Sequence, residues 1–192
     1  MDEEQLIQTI QTGDERAFKQ LVEKYQLLVV NTCKSFVHNM HDAEDISQDV
    51  FIEVFNSAHK FRGESKLSTW IYRITVNKSL NFIRDHKKQS LFQSIGNTLF
   101  GTSRSLDLRS NSYADRPDLQ AENNERKANL YQAIDALPER QRIAFNLNKF
   151  EDLSYREIAE VMQLSVSSVE SLMHRAKLNL QKSLYACYKN EI

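Results

Sequence analysis

Apolar residues recur at helical spacing along most of this chain. After Asp14, which can cap a helix, apolar positions follow at intervals of three and four residues: Phe18, Leu21, Val22, Tyr25, Leu28 and Val29. Asp42 can cap a second helix, in which Ile46, Val50 and Val54 repeat every four residues. No β-rich stretch stands out, so the pattern predicts an all-α protein.

The helical pattern is interrupted twice. Residues 61–66 form a short polar loop, and Ser68 after it can cap a long helix through about Lys88. Residues 89–117 are rich in Ser, Asn, Gly and Thr and lose the periodicity, which is typical of a linker. This segment also holds apolar residues that suggest docking on a partner or on the first domain: Leu91, Phe92, Leu99 and Phe100.

We therefore predict two small helical domains joined by a flexible linker. The expected bounds are 1–90 for the first domain, 91–125 for the linker and 126–192 for the second domain. In the second domain Pro138 fits a first helical turn. Helices are expected there over 138–150, 154–162 and 166–187.

The last two of these helices predict a helix-turn-helix. Ser154 and Glu157 have the spacing of a capping box, and Ser165 can cap the second helix. Apolar residues fall on one side: Ile158, Ala159, Val161 and Met162, then Val166, Val169, Leu172 and Met173. The other side of the second helix, called here the recognition face, consists of Ser167, Ser168, Glu170, Ser171, His174, Arg175 and Lys177. A plain helical hairpin would share the apolar pattern, but short serines let a helix lie close to DNA.

The helix from Ser68 carries polar residues on one side at spacings of three and four. This basic stripe consists of Arg73, Asn77, Asn81, Arg84 and Lys88. Asparagine can bond a base edge and arginine can hold phosphates, although an ordinary solvated face would show the same pattern. Trp70 and Tyr72 are either stacking platforms or core residues, and we favour the core for Trp70. The loop before the helix has the composition of a rim around an extruded base.

Charge is segregated along the chain although the net charge is only −1. Residues 1–53 carry four basic against eleven acidic residues, whereas residues 54–90 carry eight against two. Segregation of this kind suggests an acidic surface for one partner and a basic surface for nucleic acid. Solvated helix faces are the alternative interpretation of the same charges.

Several classes of protein are disfavoured. The sequence has no apolar stretch of about 18 residues, so we predict no membrane span. The acidic N-terminus does not resemble a secretory signal. Cys33 and Cys187 lie far apart in the chain, which favours reduced cysteines in the cytoplasm. His38 and His41, near Asp42 and Asp45, could be drawn as a metal site, but they lie at a probable helix end and capping explains the acids better. We expect no enzyme activity, no metal and no cofactor.

Several segments in order resemble the extracytoplasmic-function group of the sigma-70 family of RNA polymerase sigma factors. The matching stretches are residues 42–51 (DAEDISQDVF), 61–63 (FRG), 69–77 (TWIYRITVN) and 137–142 (LPERQR), followed by the helix-turn-helix. The resemblance covers nearly the whole chain except the linker. It implies a bacterial transcription initiation factor that binds core RNA polymerase, selects promoters and helps to open the −10 region.

The resemblance also implies roles for individual residues. Core polymerase would contact the acidic helix at Asp45, Gln48, Asp49 and Phe51. The −10 element would contact Arg62, Arg73, Asn77, Lys78, Asn81 and Arg84, and the −35 element would contact the recognition face. The linker would run toward the active-site cleft of the polymerase, and an anti-sigma factor would be a further partner.

Two other classes of function are kept open at this point. A helix-turn-helix regulator that never touches core polymerase would need neither the acidic helix nor the basic stripe. A protein that sequesters another regulator would not need the basic stripe either.

Two residues depart from the family pattern. Gln163 stands where the turn usually has glycine, and a positive φ there would cost about 1 kcal/mol. Glu170 stands where a basic residue is common. An acid can accept a hydrogen bond from a cytosine amino group, so Glu170 is our candidate for distinctive −35 specificity.

Overall fold

The computed structural model describes residues 3–100 and 117–189, with side chains described for 3–89 and 124–185. These residues form eight α-helices and a short 3-10 turn, with no strand among them. The helices are α1 (Glu3–Gln11), α2 (Glu15–Val37), α3 (Met40–Ser57), α4 (Leu67–Phe100), α5 (Pro117–Asp135), α6 (Glu139–Lys149), α7 (Tyr155–Met162) and α8 (Val166–Lys189). The predicted all-α class is confirmed. No described helix is long and apolar enough to cross a membrane.

Helices α1 to α4 form the N-terminal domain, in which α2, α3 and α4 pack against one another. The periodic apolar residues predicted for α2 and α3 line its core, including Leu21, Val29, Val50 and Val54. Asp14 caps α2 as predicted, because its carboxylate accepts hydrogen bonds from the next turn's backbone at 2.8 and 3.0 Å.

The cap predicted at Asp42 is wrong by three residues. Asn39 caps α3 instead and accepts a 2.9 Å hydrogen bond from the backbone N–H of His41. His38 before it has a positive φ of 57°, which ends α2 and turns the chain directly into α3. Asp42 therefore lies inside the first turn of α3, where a carboxylate still suits the helix dipole.

The long helix α4 begins and ends differently from the prediction. Its first residue is Leu67, so Ser68 lies within the helix rather than before it. It continues to Phe100, and α5 already begins at Pro117. The predicted linker 91–125 is thus helical at both ends, and its central residues, 101–116, lie outside the described residues. Cys187 lies outside the described side chains as well.

Helices α5 to α8 form the C-terminal domain, and α7 and α8 make the predicted helix-turn-helix. The capping box is present: the Glu157 N–H donates to Ser154 Oγ at 3.3 Å, and the Ser154 N–H donates to Glu157 Oε2 at 3.0 Å. Ser165 accepts a 3.2 Å bond from the Ser168 N–H and caps α8 as predicted. The turn residue Gln163 has a φ of 55°, so this glutamine holds the left-handed conformation that glycine usually supplies. Pro138 stands just before α6, in its cap position.

The two domains share a hydrophobic core. On the N-terminal side it contains Phe36 of α2 and three residues of α4: Tyr72, Val76 and Leu80. On the C-terminal side it contains residues of α6, α7 and α8: Ile143, Ala144, Leu147, Ile158, Ala159, Val161, Val169 and Met173. No helix periodicity predicts which helices of different domains meet, so this shared core is a finding of the tertiary structure.

Candidate nucleic-acid interface

The recognition face of α8 is open to solvent. Six of its seven side chains are exposed and Ser168 is half-buried, whereas Val169 and Met173 lie in the core beneath. Val166, which was predicted to face inward, is 41% exposed at the start of the helix. The inner side of α8 is thus packed in the core, which fixes the orientation of the exposed recognition face. A helix that enters a major groove needs such a fixed orientation.

Serines at the start of α8 are linked by hydrogen bonds. Ser165 Oγ lies 2.8 Å from Ser168 Oγ and 3.0 Å from Ser167 Oγ. Ser171 donates to the backbone carbonyl of Ser167 at 3.0 Å. These short side chains project little from the helix, so a nucleic-acid backbone can approach it closely.

The basic stripe lies along α4 as the sequence predicted. Arg84 Nη2 donates to Asn81 Oδ1 at 2.7 Å, which joins two members of the stripe. Arg73 Nη2 donates at 2.7 Å to the backbone carbonyl of Glu160 at the end of α7. Asn77 is exposed beside it and lines a cleft between α4 and the turn at Gln163.

Two other residues predicted to contact the −10 element lie apart from the stripe. Lys78 makes a 3.1 Å ion pair with Glu53 of α3, so it points toward the neighbouring helix. Arg62 lies in the loop before α4 and is exposed, 4.0 Å from Glu64.

A cavity of about 360 Å³ opens between this loop and α4. It is lined by Lys60, Phe61, Arg62, Glu64, Ser65, Trp70 and Arg73. Trp70 is half-buried and its ring centre lies 5.3 Å from that of Phe61 at a tilt of 52°. Trp70 thus packs against the core as we favoured, and it also forms part of the cavity wall. Two arginines and two aromatic rings give this cavity the composition of a site for a planar anionic ligand.

The acidic helix α3 presents Asp45, Gln48 and Asp49 to solvent, and we call these three residues the acidic face. His41 lies 3.3 Å from Asp45. A hydrogen bond with its own backbone, and then the charge of Asp45, raise the pKa of His41. Among the described residues, no three His, Cys, Asp or Glu side chains are grouped so that they could hold a metal ion.

Phe51 is only 8% exposed and packs in the core of the N-terminal domain. The expected contact between Phe51 and core polymerase is therefore corrected: this side chain packs α3 against the rest of the domain and is not presented on the surface. Two exposed apolar residues on the same helix, Ile52 and Phe55, were missed by the sequence reasoning. Their departure from the four-residue apolar repeat of α3 was the available signal.

Profiles of two sequence families match this chain. Sigma-70 region 2 matches residues 21–89, and sigma-70 region 4 matches residues 127–180. The chain belongs to the sigma-70 family of RNA polymerase sigma factors. The first match contains the acidic face and the basic stripe, and the second contains the helix-turn-helix.

Individual relatives agree with this family and with its extracytoplasmic-function (ECF) group. The RNA polymerase sigma-H factor of Pseudomonas aeruginosa is 33% identical over 186 residues, which cover 95% of this chain and 93% of that protein. The ECF RNA polymerase sigma-E factor of Escherichia coli is 32% identical over 175 residues, covering 90% and 88% of the two chains.

Solved structures share the fold. CnrH, solved in complex with the cytosolic domain of CnrY, superimposes with a TM-score of 0.64 at 23% identity, covering 94% of this chain and 96% of that chain. The sigma factor RpoE of Bartonella quintana, solved with the anti-sigma factor NepR, gives a TM-score of 0.55 at 22% identity, covering 88% and 96%.

As a sigma factor, the protein is a transcription initiation factor that directs RNA polymerase to promoters and is not an enzyme. A regulator acting without core polymerase is therefore the wrong interpretation, because region 2 is present as well as region 4. The two helical domains joined by a linker are those of this family.

Proposed function

We propose that the sigma factor divides its work among three surfaces on three helices. The acidic face of α3 binds core RNA polymerase, the basic stripe of α4 with the adjoining loop binds the −10 strand, and the recognition face of α8 binds the −35 duplex. The observation that carries the proposal is that α3 and α8 expose a coherent polar face over a packed core. The domain bounds 1–90 and 126–192 belong to this proposal.

Strand opening in this scheme is driven by binding. Separating base pairs costs about 1.4 kcal/mol for each stacking step. The chain has no G-x-x-x-x-G-K pattern, so its sequence offers no nucleotide-hydrolysing loop to supply that energy. Phosphate contacts from the stripe and capture of unstacked bases must supply it instead.

The cavity beside Arg62 and Trp70 is our candidate site for an extruded base. Its volume of about 360 Å³ lies within the range of roughly 300–1,000 Å³ typical of ligand sites. The rings of Phe61 and Trp70 offer apolar surface for stacking, and Arg62 and Arg73 offer donors to phosphate. Arg62 is a better candidate than Lys78 for contact with the −10 strand, because the ion pair of Lys78 with Glu53 holds the lysine away from this cavity.

Two further points belong to the proposal. The protein acts in the cytoplasm, where the polymerase it directs is found. It also has an anti-sigma partner, since both structural neighbours named above were solved with a protein bound and one of these is called an anti-sigma factor. Such a partner would abolish core-dependent transcription when it is added to the assay below.

Transcription with purified core polymerase and mapped start sites tests the proposed function. We expect promoter-specific products from the full chain. Arg73→Ala should reduce opening of the −10 region at least about tenfold while core binding is kept, because one charged contact is lost. Glu170→Lys should change the preferred base at one −35 position.

Matched controls make this test specific. Lys19→Ala and Glu23→Lys alter exposed charges on α2, a helix that carries none of the three surfaces, and should leave transcription unchanged. Bound promoters without any core-dependent product would refute the proposed function. Equal losses of core binding and opening in Arg73→Ala would refute the role of the stripe.

A further inference from the structure

We propose that a cavity where α2, α4 and α6 meet is a binding site for a small aromatic monocarboxylate. Its volume is about 640 Å³, within the range of roughly 300–1,000 Å³ typical of ligand sites. Three observations carry the inference: a buried guanidinium without hydrogen bonds, an apolar wall, and a charge balance that admits one more negative charge. The inference does not depend on the proposed function.

Side chains from five helices, α2 to α6, line this cavity, and we call it the five-helix cavity. It shares no lining residue with the cavity beside Arg62 and Trp70 that we assign to the −10 strand. A ligand in the five-helix cavity can therefore be distinguished from a base in the other cavity by substitutions in one wall or the other.

The buried guanidinium is that of Arg142 on α6. Its side chain is only 7% exposed, and Nη1 lies 3.6 Å from Asp135 Oδ1, which is longer than a hydrogen bond. Its Nε is enclosed without a hydrogen-bond partner among the described atoms. A buried charge is costly unless its donors are bonded, and a guanidinium carries five of them. Because Arg142 lines the five-helix cavity, an anionic acceptor placed there can bond its terminal nitrogens.

Two neighbours hold this arginine in position. Asp135 Oδ1 lies 3.2 Å from His38 Nε2, and because a carboxylate only accepts, the histidine ring donates through Nε2. The ring of His38 is stacked on that of Tyr131 with their centres 4.1 Å apart, which fixes the plane of the ring. Asp135 is thus shared between His38 and Arg142, so it orients the guanidinium without satisfying all of its donors.

Much of the remaining wall is apolar or aromatic. It includes the buried Phe36 of α2 and the half-buried Phe82 and Ile83 of α4. The ring centres of Phe82 and His86 lie 4.1 Å apart, and both residues line the cavity. Aromatic side chains favour a flat ring beside them, and a guanidinium binds a carboxylate through two parallel hydrogen bonds. The wall therefore fits a ring that carries a carboxylate.

The charges around the cavity favour a ligand with a single negative charge. The carboxylate of Asp135 is near two partners, and Asp42 lies in the first turn of α3, where the helix dipole stabilises it. Lys87 lines the cavity and makes no ion pair among the described residues, so its charge is available to a ligand. A phosphate monoester carries about −1.5 to −2 charges and would be repelled by both acids, whereas a carboxylate carries only one.

Cinnamate, a flat ring with one carboxylate, is the probe for this site. Isothermal titration calorimetry with the full chain measures its affinity, and for a ligand of this size we expect a dissociation constant of about 1 mM or lower. Cinnamamide has the same shape without the charge, and phenyl phosphate carries a larger charge. Each of these two compounds should bind several-fold more weakly than cinnamate.

Arg142→Gln tests the guanidinium. It should weaken cinnamate binding about tenfold or more, because the charged hydrogen bonds to the carboxylate are lost. Arg140→Gln is the matched control, since this exposed arginine lies on the same helix and does not line the cavity. Arg62→Ala should also leave the affinity for cinnamate unchanged, because Arg62 lines the other cavity. Far-UV circular dichroism confirms that each variant keeps its helices.

A second variant replaces Arg142→Gln if that chain loses helix content. Lys87→Glu changes an exposed side chain of the cavity and should weaken cinnamate binding several-fold through repulsion. Lys149→Glu introduces the same change of charge at an exposed position outside the cavity and should bind cinnamate like the wild type. Nuclear Overhauser effects between cinnamate and the methyl groups of Ile83 read out the position of the ligand directly.

Four results would overturn the proposed site. They are no measurable binding of cinnamate, equal affinity for cinnamamide, tighter binding of phenyl phosphate, and an unchanged affinity for cinnamate in Arg142→Gln and Lys87→Glu. A loss of affinity confined to Arg62→Ala would place the ligand in the −10 cavity and overturn the site as well. None of these results bears on promoter-specific transcription, so the proposed function keeps its own test.

Discussion

At the scale of single residues, Glu151 lies where the two domains meet. Its carboxylate is packed between α2 and α4, with the Tyr72 hydroxyl as a donor, and one carboxylate oxygen has no hydrogen-bond partner among the described atoms. Burial raises the pKa of Glu151, and nearby Asp152 acts in the same direction, whereas Thr32 and Tyr72 act against it. Lys34 and Glu151 both line a small cavity between the domains, but no described ion pair joins the two side chains.

A raised pKa in the folded protein has a definite consequence for stability. The stabilising contribution of Glu151 to the free energy of unfolding is fully present below the ordinary carboxyl pKa of about 4.3. This contribution is lost as the pH rises through the raised pKa of the folded state. Glu151→Gln should therefore stabilise the protein by about 1 kcal/mol at pH 8 and flatten this part of the pH dependence. Thermal unfolding from pH 5 to 8 measures both effects.

Glu23→Gln is the control for this prediction, because Glu23 is an exposed carboxylate on α2. It should leave the pH dependence of unfolding as in the wild type. A stability profile of Glu151→Gln that runs parallel to the wild type would contradict the assignment.

At the scale of helices, α3 shows how one element can serve packing and binding at once. Val50 and Val54 are fully buried, while Asp45 and Asp49 on the other side are exposed. Reversing a charge on the exposed side should leave the core intact. Asp49→Arg is therefore expected to weaken binding to core polymerase about tenfold, or about 1.4 kcal/mol, through repulsion at a complementary surface.

Titration of labelled sigma factor with core polymerase measures this affinity. Glu23→Arg introduces the same change of charge on α2 and should bind like the wild type. If Asp49→Arg and Glu23→Arg lose the same affinity for core polymerase, the loss follows from net charge, and the acidic face of α3 is not the binding surface.

Helix boundaries show where local sequence suffices and where it does not. The capping box of Ser154 and Glu157 and the cap at Ser165 were predictable, because their partners lie within three residues. The cap of α3 was misplaced at Asp42, since Asn39 and the left-handed His38 before it gave no periodic signal. The end of α4 was also misplaced, because the polar composition after Lys88 was taken for absence of helix.

Across the full chain, the shared hydrophobic core joins two domains that the sequence shows only as separate. A compact chain of 192 residues has an expected radius of gyration of about 16 Å. The contacts between the domains are mainly apolar or buried, and the ion pair of Lys66 with Glu157 is exposed and long. We therefore expect the interface to resist salt.

X-ray scattering of the free protein in about 0.1 M and about 1 M NaCl tests this, since the Debye length falls from about 10 to about 3 Å. The radius of gyration should stay near the compact value at both concentrations. A chain that expands in high salt would show that exposed charges, rather than the shared core, hold the domains together.

Four features could be predicted from the order of the amino acids: the helical class, the helix-turn-helix, the basic stripe and the acidic face. Each of these features depends on residues three or four positions apart in the sequence, and such residues are neighbours on one face of a helix. Three other facts are visible in the folded chain alone: Phe51 is buried, Lys78 pairs with Glu53, and Asn146 donates a hydrogen bond to the carbonyl of Ser35. Those facts depend on contacts between different helices, up to 111 residues apart in the last case, and local periodicity carries no information about such distances.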